Sequence, residues 1–186
     1  MRIIAGQYRG LRLAALGKGD PGAHLRPTAD RVRESLFNIL THGGHGDPVT
    51  GTRVLDLFAG TGALGLEALS RGAVQVTFVE TGAKGAALIR ENVEKCRAEG
   101  QTALIRRDAT RLGACPGAPF DLVFLDPPYG KGLGERALAS ALAGGWIAPG
   151  ALIVWEEGAA VAPPDGTEVL DSRRHGETMV TILRRG

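Results

Sequence analysis

The sequence is poor in cysteine, histidine and long apolar runs, and each shortage excludes a class of protein. The 186 residues hold two cysteines, Cys96 and Cys115, which are too far apart for a CxxC pair and predict reduced packing thiols rather than a disulfide framework. No apolar run approaches the roughly 18 residues of a membrane-spanning helix, so we expect no membrane association. Residues 1–6 lack the apolar core of a secretion signal, which favours a cytoplasmic protein.

Metal binding is not indicated either. The sequence has four histidines, and two of them, His42 and His45, stand beside glycines in a stretch typical of a loop. We therefore expect no metal.

Positive charge is present but unevenly distributed. The net charge is only +2, yet residues 1–35 carry seven basic and three acidic side chains, a local charge of +4 that leaves −2 for the rest. Such a segment is either a solvated basic face or a surface that meets nucleic-acid phosphates. Charge alone does not decide between the two.

Residues 1–45 predict a small β-hairpin and an amphipathic helix. Polar and apolar residues alternate at 2–5 and at 11–13, with Gly6 and Gly10 around the break. From Thr28, with Thr28 or Asp30 as the N-cap, the apolar residues follow helical spacing at Val32, Leu36, Ile39 and Leu40. A glycine-rich loop then leads into residues 46–186, which we interpret as the main domain.

The main domain alternates apolar strands with helices. Strands are predicted at 54–58, 74–79, 103–105, 121–125 and 152–155, and helices at 64–70, 86–98 and 138–143. This order is typical of a doubly wound α/β fold with a parallel sheet between helices. The segments 167–174 and 177–184 around His175-Gly176 predict a hairpin that adds an antiparallel edge.

A glycine-rich turn follows the first predicted strand. Gly60, Gly62 and Gly65 satisfy the spacing GxGxxG between a strand and a helix, and Glu80 lies twenty residues after Gly60, at the end of the next strand. In this setting the glycines admit a nucleoside cofactor and the acid accepts hydrogen bonds from ribose hydroxyls. The sequence therefore predicts a nucleoside-binding site.

The charge of Asp56 indicates which nucleoside cofactor is bound. Its carboxylate at the strand end would repel the pyrophosphate of a dinucleotide but favour the ammonium and sulfonium of S-adenosylmethionine. Asp108, after the third strand, is placed to accept from the adenine amine. We expect S-adenosylmethionine to contact this set of residues: Asp56, Phe58, Gly60, Thr61, Gly62, Leu64, Glu80, Thr81, Asp108 and Ala109.

The segment Asp126-Pro127-Pro128-Tyr129 directly follows the fourth predicted strand, where ligands of open α/β sheets bind. The Asp126 carboxylate and the Pro127 carbonyl can accept the two N–H groups of a base amine, and the two prolines stiffen the turn. Tyr129 can stack on the base. We interpret these four residues as the catalytic turn of a methyltransferase acting on an exocyclic amine.

These motifs resemble the class I methyltransferases, and specifically the bacterial family that methylates the N2 amine of a guanine in 16S ribosomal RNA. The resemblance covers nearly the whole chain, and its most family-specific part is Arg26 to Asn38. It implies a Rossmann-like, seven-stranded sheet whose last strand is antiparallel, and an N-terminal extension that holds RNA in the small subunit or its assembly intermediate. The residues expected to contact RNA are Arg9, Arg26, Thr28, Arg31 and Arg33, and we expect the enzyme to be a monomer.

Four other functions remain to be separated from this one. A DNA adenine-N6 methyltransferase shares the chemistry of the Asp126 turn but usually needs a larger recognition region. A protein glutamine methyltransferase typically has Asn where this chain has Asp126. A nicotinamide-dependent oxidoreductase leaves Asp56 unexplained, and an inactive RNA-binding assembly factor would fail to bind the cofactor.

Overall fold

A computed structural model describes residues 1–15, 30–44 and 46–186 of the chain. Arg26, Thr28 and His45, to which the sequence assigned roles, lie outside these described residues.

Seven strands form one mixed sheet in the order β3-β2-β1-β4-β5-β7-β6. β1 to β5 run parallel, and β7 lies antiparallel between β5 and β6. The strands are β1 (Arg53–Leu57), β2 (Gln75–Val79), β3 (Thr102–Ile105), β4 (Phe120–Leu125), β5 (Ile147–Glu157), β6 (Thr167–His175) and β7 (Thr178–Arg185). The doubly wound sheet, the terminal hairpin and the antiparallel last strand are confirmed.

Helices cover both faces of this sheet, because strands buried on two sides need an apolar layer on each. The helices are α1 (Asp30–His42), α2 (Ala63–Ser70), α3 (Ala83–Cys96) and α4 (Leu133–Ala143). Apolar side chains of α1, α2 and α3 share one core with alternate residues of the strands, such as Val54 and Phe124. α4 packs on the opposite face against Leu55, Val123 and Trp155.

The N-terminal segment packs on the main domain and shares its core. An antiparallel bridge joins Arg2 to Arg12, as a hairpin requires, and Ile3 is fully buried in the core beneath α1 and α2. The turn of the hairpin meets the end of α2 so closely that a Cβ on Gly6 would lie 1.8 Å from the carbonyl oxygen of Ser70. Glycine is therefore required at this contact.

Three sequence predictions change in detail. α1 begins at Asp30 and buries Phe37, which the predicted apolar stripe omitted, whereas Val32 is only half buried. α4 begins at Leu133, five residues before the predicted start, and β5 extends in both directions beyond 152–155. Among the described residues, no helix is both long and apolar enough to cross a membrane.

Candidate active site

The glycine-rich turn between β1 and α2 is shaped by the buried carboxylate of Asp56. Its Oδ2 accepts a hydrogen bond of 3.0 Å from the backbone amide of Gly65, in the first turn of α2. A Cβ on Gly65 would lie 2.5 Å from Phe78 Cε1, so glycine is needed for α2 to approach the sheet. Phe58 takes a left-handed φ of 60°, a strained conformation for a residue with a side chain.

Burial also changes the protonation of Asp56, which is 2% exposed. Removal from water raises the pKa of this carboxyl to about 7, and the negative charges of Asp126 and Glu80 add to the effect, while the Gly65 amide opposes it. The carboxyl is therefore half-protonated near neutral pH. A bound cation would favour its ionised form.

Glu80 fixes the same turn from the neighbouring strand. Its Oε2 accepts from the amide of Gly60 at 2.8 Å, and its Oε1 accepts from the amide of Gly82 at 2.6 Å. A Cβ on Gly85 would lie 2.9 Å from the Glu80 side chain. The absence of a side chain at this position therefore lets α3 pack closely against Glu80. Because each carboxylate oxygen has two lone pairs, Glu80 can still accept from ribose hydroxyls while it holds both amides.

Asp108 ends the third strand region and is exposed. Its Oδ1 accepts from both the amide and the hydroxyl of Thr110, each at 2.8 Å, and these bonds, the amide first, lower the pKa of the carboxyl. It is therefore an ionised acceptor at the rim of the same edge of the sheet.

The other residues predicted to contact the cofactor line these same turns. Thr61 and Leu64 are buried, Ala109 is buried beside Asp108, and Thr81 is exposed beyond Glu80. The structure thus brings the predicted cofactor residues of all three strands to one edge.

Asn92 of α3 joins this region to the N-terminal segment. Its side-chain amide donates to the carbonyl of Thr61 at 2.9 Å and to that of Ala14 at 3.1 Å, and its Oδ1 accepts from the Ala14 amide. The side chain is fully buried. The end of the hairpin segment and the glycine-rich turn are therefore held by one residue.

The segment Asp126 to Tyr129 lies at the carboxyl end of β4, next to β1 in the sheet. Two neighbouring strands brace it: Glu157 Oε1, at the end of β5, accepts from the amide of Gly130 at 2.6 Å, and the hydroxyls of Tyr129 and Thr178 lie 3.2 Å apart. Pro127 is buried, and Pro128 is half-buried. The turn is thus held by two hydrogen bonds, next to the edge where the predicted cofactor residues lie.

Glu156 is a second carboxylate beside this turn. The register pairs Leu125 with Trp155, so Asp126 and Glu156 follow side by side at the ends of β4 and β5. Glu156 is 2% exposed, and burial raises the pKa of its carboxyl well above the usual value, with Asp126 and Asp56 adding to the rise and Arg33 opposing it. Among the described residues, its Oε1 has no hydrogen-bond partner.

The assignment of Arg33 to RNA binding is wrong in this structure, because its side chain is fully buried. Its Nη2 donates to Asp30 Oδ1 at 3.0 Å and to the carbonyl of Arg2, and its Nε lies 3.7 Å from Glu67 Oε2. Glu67, also fully buried, accepts from the amides of Ile4 and Ala5. Arg33 therefore ties α1 to the hairpin and α2 and cannot reach a phosphate.

Arg9 and Arg31, in contrast, are exposed on the hairpin turn and on the first turn of α1. Both remain available for RNA. Their contacts with RNA stay a prediction.

Sequence reasoning missed Glu67, Asn92, Glu156 and Glu157. The search for acids at strand ends, which found Asp56, Glu80 and Asp126, would have found Glu156 had it been continued to the fifth strand, because Glu156 directly follows the apolar run 152–155. Glu67 and Asn92 carried no such signal, since polar residues in a helix are ordinarily exposed.

Known proteins resemble this chain over most of its length. The family model described as conserved hypothetical protein 95 matches residues 1–184. The ribosomal RNA small subunit methyltransferase D of Escherichia coli (strain K12) is 40% identical over 156 residues, which are 84% of this chain and 74% of that protein. The protein of the same name from Haemophilus influenzae is 40% identical over 159 residues, covering 84% and 78% of the two chains.

Solved structures give the same picture of the fold. The structure of yhhF from Escherichia coli superimposes with a TM-score of 0.83 at 34% identity and covers 100% of this chain and 97% of its own. The fold described above is therefore that of an experimentally determined relative along its whole length.

Proposed function

The chain belongs to the conserved hypothetical protein 95 family, and from this premise we propose that it methylates the N2 amine of a guanine in 16S ribosomal RNA, using S-adenosylmethionine. It is a ribosomal RNA methyltransferase, like its relatives that are 40% identical over 84% of the chain. These relatives leave the DNA adenine alternative without support. The observation that carries the proposal is the braced Asp126 to Tyr129 turn beside a nucleoside-binding edge.

The residues of the cofactor edge suit S-adenosylmethionine. Glu80 and Asp108 offer carboxylate oxygens to ribose hydroxyls and to the adenine amine, and the turn after β1 offers backbone amides to the methionine carboxylate. The buried Asp56 supplies negative charge that a dinucleotide phosphate would oppose and that an ammonium would stabilise. When bound there, S-adenosylmethionine supplies a methyl group already activated by its sulfonium.

The catalytic turn then needs only to hold and polarise the amine. Asp126 and the carbonyl of Pro127 accept its two N–H groups, which directs the nitrogen lone pair toward the methyl group. Tyr129 stacks on the base, a contact worth about 1 to 3 kcal/mol. The hydrogen bond between its hydroxyl and that of Thr178, and the bond from the Gly130 amide to Glu157, keep the turn in this position.

We assign the basic N-terminal extension, residues 1–45, to contact with RNA phosphates. Exposed Arg9 and Arg31 are its described candidates, and Arg26 and Thr28 complete the predicted set. We propose that the substrate is the small subunit or its assembly intermediate, which would place the enzyme in the cytoplasm, and that the enzyme acts as a monomer.

Methyl transfer from labelled S-adenosylmethionine tests this function. Small subunits that lack the modification, naked 16S RNA and DNA are compared as acceptors, with Asp126→Ala as the inactive control. Label in the RNA of the subunits that disappears in Asp126→Ala supports the proposal. Label only in DNA, or no transfer to any acceptor, contradicts it.

A further inference from the structure

Glu156 stands apart from the other acids of the site because one of its carboxylate oxygens is buried without a hydrogen bond. Asp56 and Glu80 accept hydrogen bonds from backbone amides, but Glu156 Oε1 has no partner within the part of the chain that the structure describes. A buried polar atom without a hydrogen bond is costly and rare in native proteins. Such an atom beside a substrate site points to a partner that arrives with the substrate.

The position of Glu156 shows where that partner would lie. β5 is hydrogen-bonded to β4, and neighbouring strands lie about 4.8 Å apart, so the backbones of Asp126 and Glu156 are adjacent. Strand alternation puts the Glu156 side chain on the same face as Val154, the face that also carries Asp56. The negative charges of Asp126 and Asp56 are the ones that act most strongly on Glu156.

Two adjacent carboxylates match one base edge better than another. Guanine presents two neighbouring donors there, the N2 amine and N1–H, whereas adenine presents an N6 amine beside an N1 that has only a lone pair. Adjacent carboxylates can accept both guanine donors, but one of them would face the adenine lone pair. The pair thus favours guanine and disfavours adenine.

We propose that Glu156 accepts the N1–H of the guanine whose N2 amine is held by Asp126, and thereby selects guanine as the base. The inference rests on the function proposed above and adds to it the residue that reads the base. In the complex, guanine N1–H would donate the hydrogen bond that Glu156 Oε1 otherwise lacks. A hydrogen bond that reads a base edge is worth roughly 10- to 100-fold in discrimination.

A purely structural role for Glu156 predicts a different result. The positive charge of Arg33 stabilises the ionised carboxyl, so the two side chains can simply balance each other's charge in the interior. In that case, loss of Glu156 would disturb α1 and the sheet and would lower transfer to all bases alike. The ratio between two substrates separates the two roles.

The test compares guanine with 2-aminopurine, which keeps the 2-amino group but lacks N1–H. Both are placed at the position that the wild type methylates, in small subunits reconstituted with 16S RNA. Glu156→Met has similar volume and no carboxyl, Glu156→Gln keeps an acceptor oxygen, and Glu168→Met removes an exposed acid on β6 as the matched control.

We expect the wild type to prefer guanine in kcat/KM by roughly 10- to 100-fold. Glu156→Met should lose this preference by slowing only with guanine, Glu156→Gln should keep part of it, and Glu168→Met all of it. An unchanged ratio in Glu156→Met, or equal losses on both bases, overturns the inference. If Glu156→Met does not fold, an undiminished ratio in Glu156→Gln overturns it instead. A wild type that methylates no guanine would refute the proposed function itself.

Discussion

The two halves of the active-site edge differ in how their acids are held. In the cofactor half, formed by the ends of β1 to β3, Asp56, Glu80 and Asp108 all accept hydrogen bonds from backbone amides. In the substrate half, formed by the ends of β4 and β5, Glu156 Oε1 has no such partner in the described chain. There the catalytic turn is held by Glu157, which accepts a hydrogen bond from the amide of Gly130.

We interpret this difference as a separation of cofactor binding in one half from chemistry in the other. Acids that hold the backbone preorganise the cofactor half before any ligand arrives, which reduces the cost of binding. In our proposal, Glu156 Oε1 of the substrate half, which has no partner within the described chain, is the acceptor left for the base. Substitutions in the two halves should therefore have separable effects.

The largest expected effect is on catalysis, from Asp126→Ala. Loss of one acceptor for the amine should lower methyl transfer by about 100- to 1000-fold, by analogy with other preorganised hydrogen bonds in active sites. Binding of S-adenosylmethionine should be retained, because the cofactor half is built without Asp126. Label transfer to unmodified small subunits and calorimetric titration of the cofactor measure the two quantities.

If Asp126→Ala abolishes cofactor binding as well, the two halves do not act separately in binding and in methyl transfer. Glu168→Met, which changes an exposed acid of β6, serves as the control and should leave both transfer and cofactor binding unchanged.

Gly65→Ala should damage the cofactor half through packing. The new Cβ would lie 2.5 Å from Phe78 Cε1 and 2.6 Å from Val76 Cγ1, so α2 must shift. We expect a loss of about 1 to 3 kcal/mol in the free energy of unfolding, together with weaker cofactor binding. Denaturant unfolding measures the first and calorimetry the second.

Gly100→Ala is the matched control, since a Cβ there meets nothing within 4 Å. Equal stability of the two variants would contradict the tight contact between α2 and the sheet.

Asp56 should make cofactor affinity depend on pH. Its pKa is raised to about 7, so below that pH the acid is protonated and must lose a proton before it can stabilise a cation. Affinity should therefore rise from pH 6 to pH 8, by at most about tenfold per unit below the pKa. In Asp56→Asn this part of the dependence should be absent in calorimetric titrations.

The same residue predicts the pH dependence of stability without cofactor. A carboxyl whose pKa is higher in the folded than in the unfolded chain binds more protons when folded, so its contribution to stability falls as pH rises from about 4 to 7. In Asp56→Asn, the thermal unfolding midpoint should depend less steeply on pH over that range. If the unfolding midpoints of the wild type and the variant depended equally on pH, the raised pKa of Asp56 would be contradicted.

Local patterns explain what the sequence could predict. The glycine turn, the acids near the carboxyl ends of β1 to β3 and the Asp126 turn each depend on residues close in sequence, and the structure places them at the predicted edge of the sheet. β5 was predicted too short because Pro149 and Gly150 interrupt its apolar pattern, although the strand continues through them. Glu156 directly follows the predicted run 152–155 and was missed because the strand-end acids were considered only up to β4.

Long-range contacts explain what it could not predict. Arg33 belongs to a basic segment and was taken for a surface residue, but Glu67, 34 positions later, provides the buried charge that draws it inside. Asn92 likewise gains its role only when α3 meets Ala14. No periodicity in the sequence marks such pairs.

The smallest expected effect comes from the exposed arginines of the N-terminal extension that we assign to RNA contact, Arg9 and Arg31. Arg9→Ala combined with Arg31→Ala should weaken binding of the small subunit a few-fold. The slope of the logarithm of the binding constant against the logarithm of the salt concentration should become shallower by about 0.7 to 0.9 per lost phosphate contact. Filter binding across salt concentrations measures both. Arg90→Ala, on the exposed side of α3, should change neither.

Arg33→Ala provides the contrast within the same segment. Because Arg33 is buried against Glu67, its loss should lower the unfolding midpoint rather than the salt dependence. If a folded Arg33→Ala protein showed a changed salt dependence of RNA binding, Arg33 would have to contact RNA after all.

The claim that the substrate half presents its acids to a guanine amine can be tested by identifying the methylated nucleoside. Small subunits that lack the modification are incubated with the enzyme and S-adenosylmethionine, and the 16S RNA is digested and separated by mass spectrometry. N2-methylguanosine that is absent with Asp126→Ala is the predicted result. N6-methyladenosine, or methylation at another guanine atom, would contradict the claim.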